Sequence, residues 1–162
     1  MQLPTRPGIV FYGTGNGAGA ALKDYRGANI NPQTLTQANW ITSTEFAIGR
    51  AQEALAMLAA KLAPAKSLKL RFETKYVDDQ NPATWQWAAI PSTRLDTVTT
   101  PELIEHTILP AELVGPDLGA GPTVRDVVFR ITRARLSGLC RVLVTTGAAP
   151  DAADYAIVAV TG

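Results

Sequence analysis

Hydrophobic and polar positions alternate most strictly at Ser67 to Tyr76, where Leu68, Leu70, Phe72, Thr74 and Tyr76 share one face and Lys69, Arg71, Glu73 and Lys75 the other. A period of two is the mark of a strand with one buried and one wet face. Asp78, Asp79, Asn81 and Pro82 then supply a turn. Thr84 to Ile90 alternates again with Trp85 and Trp87 on a common side, which predicts a hairpin with a wide loop. Thr123 to Thr132, with Val127, Phe129 and Ile131 on one side, and the Val-rich runs Arg141 to Thr146 and Tyr155 to Thr161 predict further strands. Arg133 to Gly138 followed by Leu139 to Thr146 reads as a second hairpin, and Ala148 to Asp154 separates the last pair. Short strands at this spacing predict a mainly β protein, an antiparallel β-sandwich over residues 46–162.

One segment breaks the pattern. Phe46 to Leu62 places Ile48, Ala51, Leu55, Leu58 and Leu62 at helical spacing, and its Ala, Glu, Gln, Met and Lys content favours helix. The competing reading makes Ala54 to Leu62 a strand that turns at Ala63, Pro64 and Ala65 and pairs with Ser67 to Tyr76, tertiary pairing overriding a weak local preference. Residues 1–45 have another texture, rich in Gly, Asn, Thr and Gln with a single apolar island at Ile9 to Tyr12. They read as an extended N-terminal arm whose own apolar content cannot offset the cost of ordering it, so that it needs a surface to lie on, one that another subunit could provide.

Composition narrows the function classes. A chain of 162 residues is about one domain long and buries about 70% of the surface its unfolded form exposes. Hydrophobic residues at 46% and charged residues at 18% fit a folded protein and leave little room for global disorder. A formal net charge of +1 removes the overall attraction that a non-specific nucleic-acid binder relies on. No apolar run approaches the roughly 18 residues of a membrane span, and Met1 to Gly8 carries prolines where a signal peptide has its apolar segment, so a soluble intracellular product without nucleic-acid or membrane partners is expected.

Candidate chemistry is thin. Gly13, Gly15, Gly17 and Gly19 follow an apolar strand, as in a dinucleotide fingerprint, but the crossover helix and second parallel strand that such a site needs do not follow. A flexible glycine loop is the simpler reading. No glycine precedes a Lys and Ser or Thr pair, which excludes a P-loop. Cys140 and His106 are each the sole residue of their kind, too few for a Cys and His zinc site or a disulfide. Cys140 reads as a small buried hydrophobe and His106 as a surface or loop side chain. Asp78 with Asp79 and Glu102 with Glu105 read as solvated acids, short of the oxygens and spacing of a calcium loop. No catalytic residue, cofactor or metal ion is expected. Arg125, Arg130, Arg133, Arg135 and Arg141 form the one concentration of charge, suited to bidentate pairing with carboxylates on neighbouring subunits or acidic partners. Candidate partner contacts are Phe11, Tyr12, Tyr25, Trp40, Trp85, Trp87, Arg133 and Arg135.

The order of these pieces resembles the small accessory proteins of tailed-bacteriophage capsids. The resemblance is carried by the polar arm, Thr44-Glu45-Phe46-Ala47-Ile48-Gly49, and Leu68-Lys69-Leu70-Arg71-Phe72-Glu73-Thr74 leading through Asp78-Asp79 to Trp85. It continues in His106 to Pro110, a loop rich in Gly and Pro, Val127-Val128-Phe129-Arg130-Ile131 and Leu139-Cys140-Arg141-Val142-Leu143-Val144. It covers roughly residues 44–162 as an order of strands and turns. It implies a jelly-roll-like sandwich, a strand rather than a helix at Ala54 to Leu62, and a non-enzymatic decoration or cement protein of the virion. Its implied partners are the major capsid protein and copies of itself, commonly as a trimer, with assembly in the host cytoplasm and the arm laid over neighbouring subunits. Two other functions fit the same residues, a carbohydrate-binding module using Trp85 and Trp87 and a tail or connector subunit. Nucleotide binding at Gly13 to Gly19 is a further, less supported reading.

Overall fold

The computed structural model describes residues 8–24, 27–47, 54–76, 86–95, 102–110, 126–131 and 139–161. Strands take up 61% of these residues and helix almost none, so the mainly β, antiparallel sandwich expectation is met. The first sheet holds six strands: β1 (Gly8–Thr14), β4 (Gln33–Thr34), β7 (Ala54–Lys61), β10 (Thr93–Arg94), β12 (Asp126–Ile131) and β14 (Tyr155–Thr161). Their order is β10-β12-β7-β14-β1-β4, antiparallel except for the short β1–β4 pair. The second sheet is built on β8 (Leu68–Tyr76) and β13 (Leu139–Thr146), flanked by β11 (Glu105–Ile108) and β9 (Gln86–Ile90) along β8 and by β5 (Ile41–Thr42) and β6 (Phe46–Ala47) along β13. A two-stranded ribbon, β2 (Leu22–Lys23) with β3 (Asn29–Ile30), stands apart.

The sheets close on one core. Phe11, Leu58, Phe129, Ile131 and Val158 from the first sheet meet Leu68, Leu70, Phe72, Ile108 and Val142 from the second, all 1% exposed or less. Phe72 and Phe129 touch across the gap with ring centroids 5.8 Å apart and planes tilted by 57°, the offset contact that aromatic quadrupoles favour. A bulge between Ile9 and Phe11 shifts the β1–β14 register and allows Val10 and Phe11, adjacent in sequence, both to be buried. The chain also crosses between sheets at their sides. From β9 it passes through Ser92 into β10, and beside β5 the Thr44 amide donates to the Val10 carbonyl at 3.1 Å.

The ambiguous segment is a strand over Ala54–Lys61, with Ala54, Ala56, Leu58 and Ala60 inward. Its place between β12 and β14 explains why helix propensity loses. Six registered pairs on one side and seven on the other satisfy its backbone, and small alanines leave room for larger neighbours, as where Ala56 lies opposite Phe129. Residues 48–53 lie outside the described residues.

Three pairing expectations are corrected or met by strand partners. The β8–β9 hairpin is present, in register from Phe72–Ile90 to Tyr76–Gln86. The Ala63-Pro64-Ala65 turn is present as well, closed by the Lys66 amide on the Ala63 carbonyl at 3.1 Å with Ala65 at φ 64°. It does not make a hairpin, because β7 belongs to the first sheet and β8 to the second. β12 and β13 likewise lie in opposite sheets. In both cases consecutive strands bury their apolar faces by facing each other across the core and not by pairing edge to edge.

The reading of residues 1–45 as an arm is also corrected. Gly8–Thr14 is an interior strand of the first sheet, Leu35 is 1% exposed, and Ile41–Thr42 extends the second sheet. The surface this stretch needed is the chain's own: the Leu35 amide donates to the Thr14 carbonyl at 2.8 Å and the Thr146 amide to the Thr36 carbonyl at 3.1 Å.

Candidate functional site

The outward side of the first sheet is apolar. Cross-strand register sets Ile9, Ala159, Met57 and Val128 in one row and Tyr12, Ile157 and Ala59 in the next, with Leu55 beyond Met57 on β7; charge enters along β12, where Asp126 stands opposite Ala59 and the exposed Arg130 opposite Leu55. The side chains of both rows and of Leu55 are half-buried. β7 from Ala54 to Ala60 and β14 from Ala156 to Val160 are thus apolar on both faces, a pattern that belongs to sheets covered on both sides; a sandwich face turned to water alternates to polar residues.

The outward side of the second sheet is charged and ordered. The Glu73 carboxylate, only 6% exposed, accepts from Arg141 Nε at 2.8 Å and lies 2.7 Å from its Nη2. Its other oxygen is 3.4 Å from Arg71 Nη2. Each guanidinium also stacks on an indole: Arg141 Cζ is 4.3 Å from the Trp87 ring centroid and Arg71 Cζ 4.6 Å from that of Trp40, while Lys75 Nζ stands 5.8 Å from Trp87. Strand register produces this ladder, because Arg141 pairs with Glu73, Lys75 with Trp87 and Glu73 with Ala89 on β9. Arg71 Nε is buried without a hydrogen-bond partner.

Beside the Trp40 end lies a polar cleft of about 390 Å³ lined by Gln37 to Trp40, Lys69, Glu105 and Thr145 to Gly147. The 36–40 segment is tied down by the Thr145 hydroxyl, which donates to the Thr36 carbonyl at 2.8 Å, and by Gln37 Nε2, which donates to the Gly147 carbonyl at 3.2 Å. A second, more apolar cleft of about 660 Å³ lies among Leu62, Pro64, Ala65, Leu109 and Pro110.

The chemistry-bearing residues sit in the core. Cys140 is fully buried and burial pushes its thiol up to about 11, so it is a packed hydrophobe as expected. His106 is corrected from a surface to a core residue at 2% exposure, because it falls on the inward side of β11 together with Ile108. Its Nε2 lies 2.7 Å from the Ser92 hydroxyl and its ring packs edge-on against Phe129 at 4.8 Å. Burial holds its pKa below the ordinary 6.5; hydrogen bonding at the Ser92 backbone opposes this and the Arg94 charge adds to it. The Ser92–His106 contact joins the sheets where the chain crosses from β9 to β10, and it is closed to any substrate. Among the described residues no group of three or more His, Cys, Asp or Glu is placed to hold a metal ion.

The glycine loop has a packing role. The Gly15 amide donates to the Asp154 carbonyl at 2.8 Å, and a Cβ on Gly15 would run into the Asp151 carbonyl oxygen. The Asp154 carboxylate in turn accepts from the amides of Ala63 and Asp151, each at 2.8 Å.

The candidate contact residues are dispersed. Tyr12 stands on the apolar face, and Trp40 and Trp87 anchor the two ends of the ladder. Phe11 is corrected: it is fully buried and meets no partner, because the bulge turns it into the core. Tyr25, Trp85, Arg133 and Arg135 lie outside the described residues, as do Asp78, Asp79 and Arg125. Of the remaining arginines, Arg130 is exposed on β12 and Arg141 pairs within the chain. Sequence reasoning missed the apolar face, whose signal was the unbroken apolar run Ala54 to Ala60, and it missed the burial of Glu73, whose one local signal was Arg71 two residues earlier on the same face of β8.

These features define a two-sheet antiparallel β-sandwich with one apolar and one charged aromatic face. No family model, curated protein or solved structure matches the chain.

Proposed function

We propose that the protein is a non-enzymatic structural subunit that works by packing against like and unlike neighbours, specifically as a decoration protein of a tailed-phage capsid. The observation that carries the structural role is the outward apolar face formed by Ile9, Tyr12, Leu55, Met57, Val128 and Ile157. Covering that face removes apolar surface from water at roughly 25 cal/mol per Å², the main source of association free energy between subunits. The ladder supports a second contact. Tryptophan and arginine are the residue types that dominate binding hot spots, and rings already fixed by guanidinium stacking lose little freedom on docking. The capsid assignment follows from the resemblance in strand order. Repeated subunits make later contacts effectively intramolecular, so modest individual contacts suffice for stable attachment.

The test mixes purified protein with undecorated tailed-phage capsids and measures co-sedimentation and capsid melting. Binding with a raised capsid melting temperature, lost on Met57→Glu or Trp87→Ala, is expected. Absence of binding and an unchanged melting temperature would reject the capsid role.

A further inference from the structure

The polar cleft beside Trp40 has one buried hydroxyl without a partner and several polar groups left to solvent. Thr146 is 2% exposed and its hydroxyl has no hydrogen-bond partner. Asn39 uses only its backbone, accepting from the Thr36 hydroxyl at 2.9 Å and donating back to it at 3.3 Å, which leaves its side-chain amide unspent. The Trp40 ring is held by Arg71, and among the described residues its indole N–H has no acceptor. Lys69 and Glu105 face each other at 3.9 Å, too far for a hydrogen bond, with both side chains about two-fifths exposed. Amide, indole, ammonium and carboxylate thus line one depression whose walls are already fixed to β13.

The lining selects a ligand class. One cation and one anion leave the cleft without net charge, so a phosphate or carboxylate that gained from Lys69 would be repelled by Glu105. Apolar wall is confined to Ala38 and part of Trp40, too little for a hydrophobic ligand. A neutral molecule dense in hydroxyls meets the conditions, because each hydroxyl both donates and accepts and can serve an amide, a carboxylate and an ammonium in turn, while ring C–H groups rest on the indole. A volume of about 390 Å³ accommodates one or two sugar rings. We infer that this cleft is a binding site for a neutral saccharide. The inference does not rest on the capsid reading and differs from a sugar platform at Trp87, whose ring meets two cations, Arg141 and Lys75, where that of Trp40 meets one, Arg71.

Saturation-transfer NMR tests it, with the methyl glycosides of glucose, galactose, mannose and N-acetylglucosamine and with maltose and lactose. Each is offered at up to about 20 mM, since a small open site supports millimolar affinity. At least one sugar is expected to receive saturation from the wild-type protein. That signal should fall at least about fivefold with Asn39→Ala, an exposed position that preserves the fold, and with Trp40→Ala, and should persist with Trp87→Ala. Glucose 6-phosphate should give no more signal than glucose. Silence from all six sugars, a signal indifferent to Asn39→Ala, loss with Trp87→Ala instead, or a gain from the phosphate would each overturn the site.

Discussion

The two outward faces of this sandwich are made from the same kind of element and carry opposite chemistry. On the first sheet Met57, Val128, Ala159 and Ile9 stand in a row with no charge among them, while on the second Arg71, Glu73, Lys75 and Arg141 stand on paired strands and are locked to Trp40 and Trp87. The charged face meets most of its needs within the chain, since Glu73 pairs with Arg141 and Arg71 and the two described indoles, Trp40 and Trp87, each meet a cation. The apolar face does not, because half-exposed aliphatic side chains gain nothing from one another once the sheet is formed. The contrast teaches that two sheets of one sandwich can differ in whether their outward residues alternate to polar ones, and it is the ground for the proposal that a neighbour covers the first sheet.

The largest effect that would separate the faces comes from Glu73. Glu73→Ala leaves two guanidinium groups stacked over indoles without their carboxylate and should lower stability by about 3 kcal/mol in urea unfolding. Met57→Ala, on the other face, should cost the isolated subunit less than about 1 kcal/mol. Equal losses would erase the distinction. Acid comes next and acts on both faces through the corner that joins the sheets. Because burial depresses the His106 pKa, the neutral ring contributes stability that is complete above about pH 6.5 and is lost as the pH falls through the folded value, at up to about 1.4 kcal/mol per pH unit. A urea midpoint that stays level between about pH 7 and pH 5 would place His106 in water. Salt should split the faces more gently. Sodium chloride at about 1 M screens the partly exposed ladder and should cost less than about 1 kcal/mol, while sodium sulfate should strengthen self-association through the apolar face. Salt responses of the same sign would contradict the comparison. The smallest effect belongs to neither face: Ala65→Gly relieves the positive φ of Ala65 in the turn between β7 and β8 and should raise stability by about 0.5 kcal/mol.

Much of the second sheet was legible because its local pattern and its environment agree. The alternation of Leu68 to Tyr76 gives both the strand and its wet face, and Asp78 to Pro82 announces the return to Gln86–Ile90. What escaped was choice of partner. The turn at Pro64 and the link after Ile131 look like hairpins in sequence, yet both carry the chain to the opposite sheet, and nothing local distinguishes a hairpin from an arch when either buries the same apolar face. The apolar strand before the glycines was legible, but its polar surroundings hid its place as an interior strand of the first sheet, which its Ile-Val-Phe-Tyr core suits. His106 escaped because a single histidine between Glu105 and Thr107 looks exposed, while its two-residue spacing from Ile108 marks the inward side. The ladder and the polar cleft depend on residues up to about a hundred positions apart, such as Thr36 with Thr145, and have no local signature.

The central claim is that the apolar face of the first sheet is an interface. Sedimentation-equilibrium mass of the wild-type protein beside Met57→Glu and Trp87→Ala tests it most directly. The account predicts a multiple of 17.2 kDa for the wild type and for Trp87→Ala, and the single-chain mass for a folded Met57→Glu. A wild-type mass of one chain, or an oligomer that survives Met57→Glu and dissociates with Trp87→Ala, would contradict it.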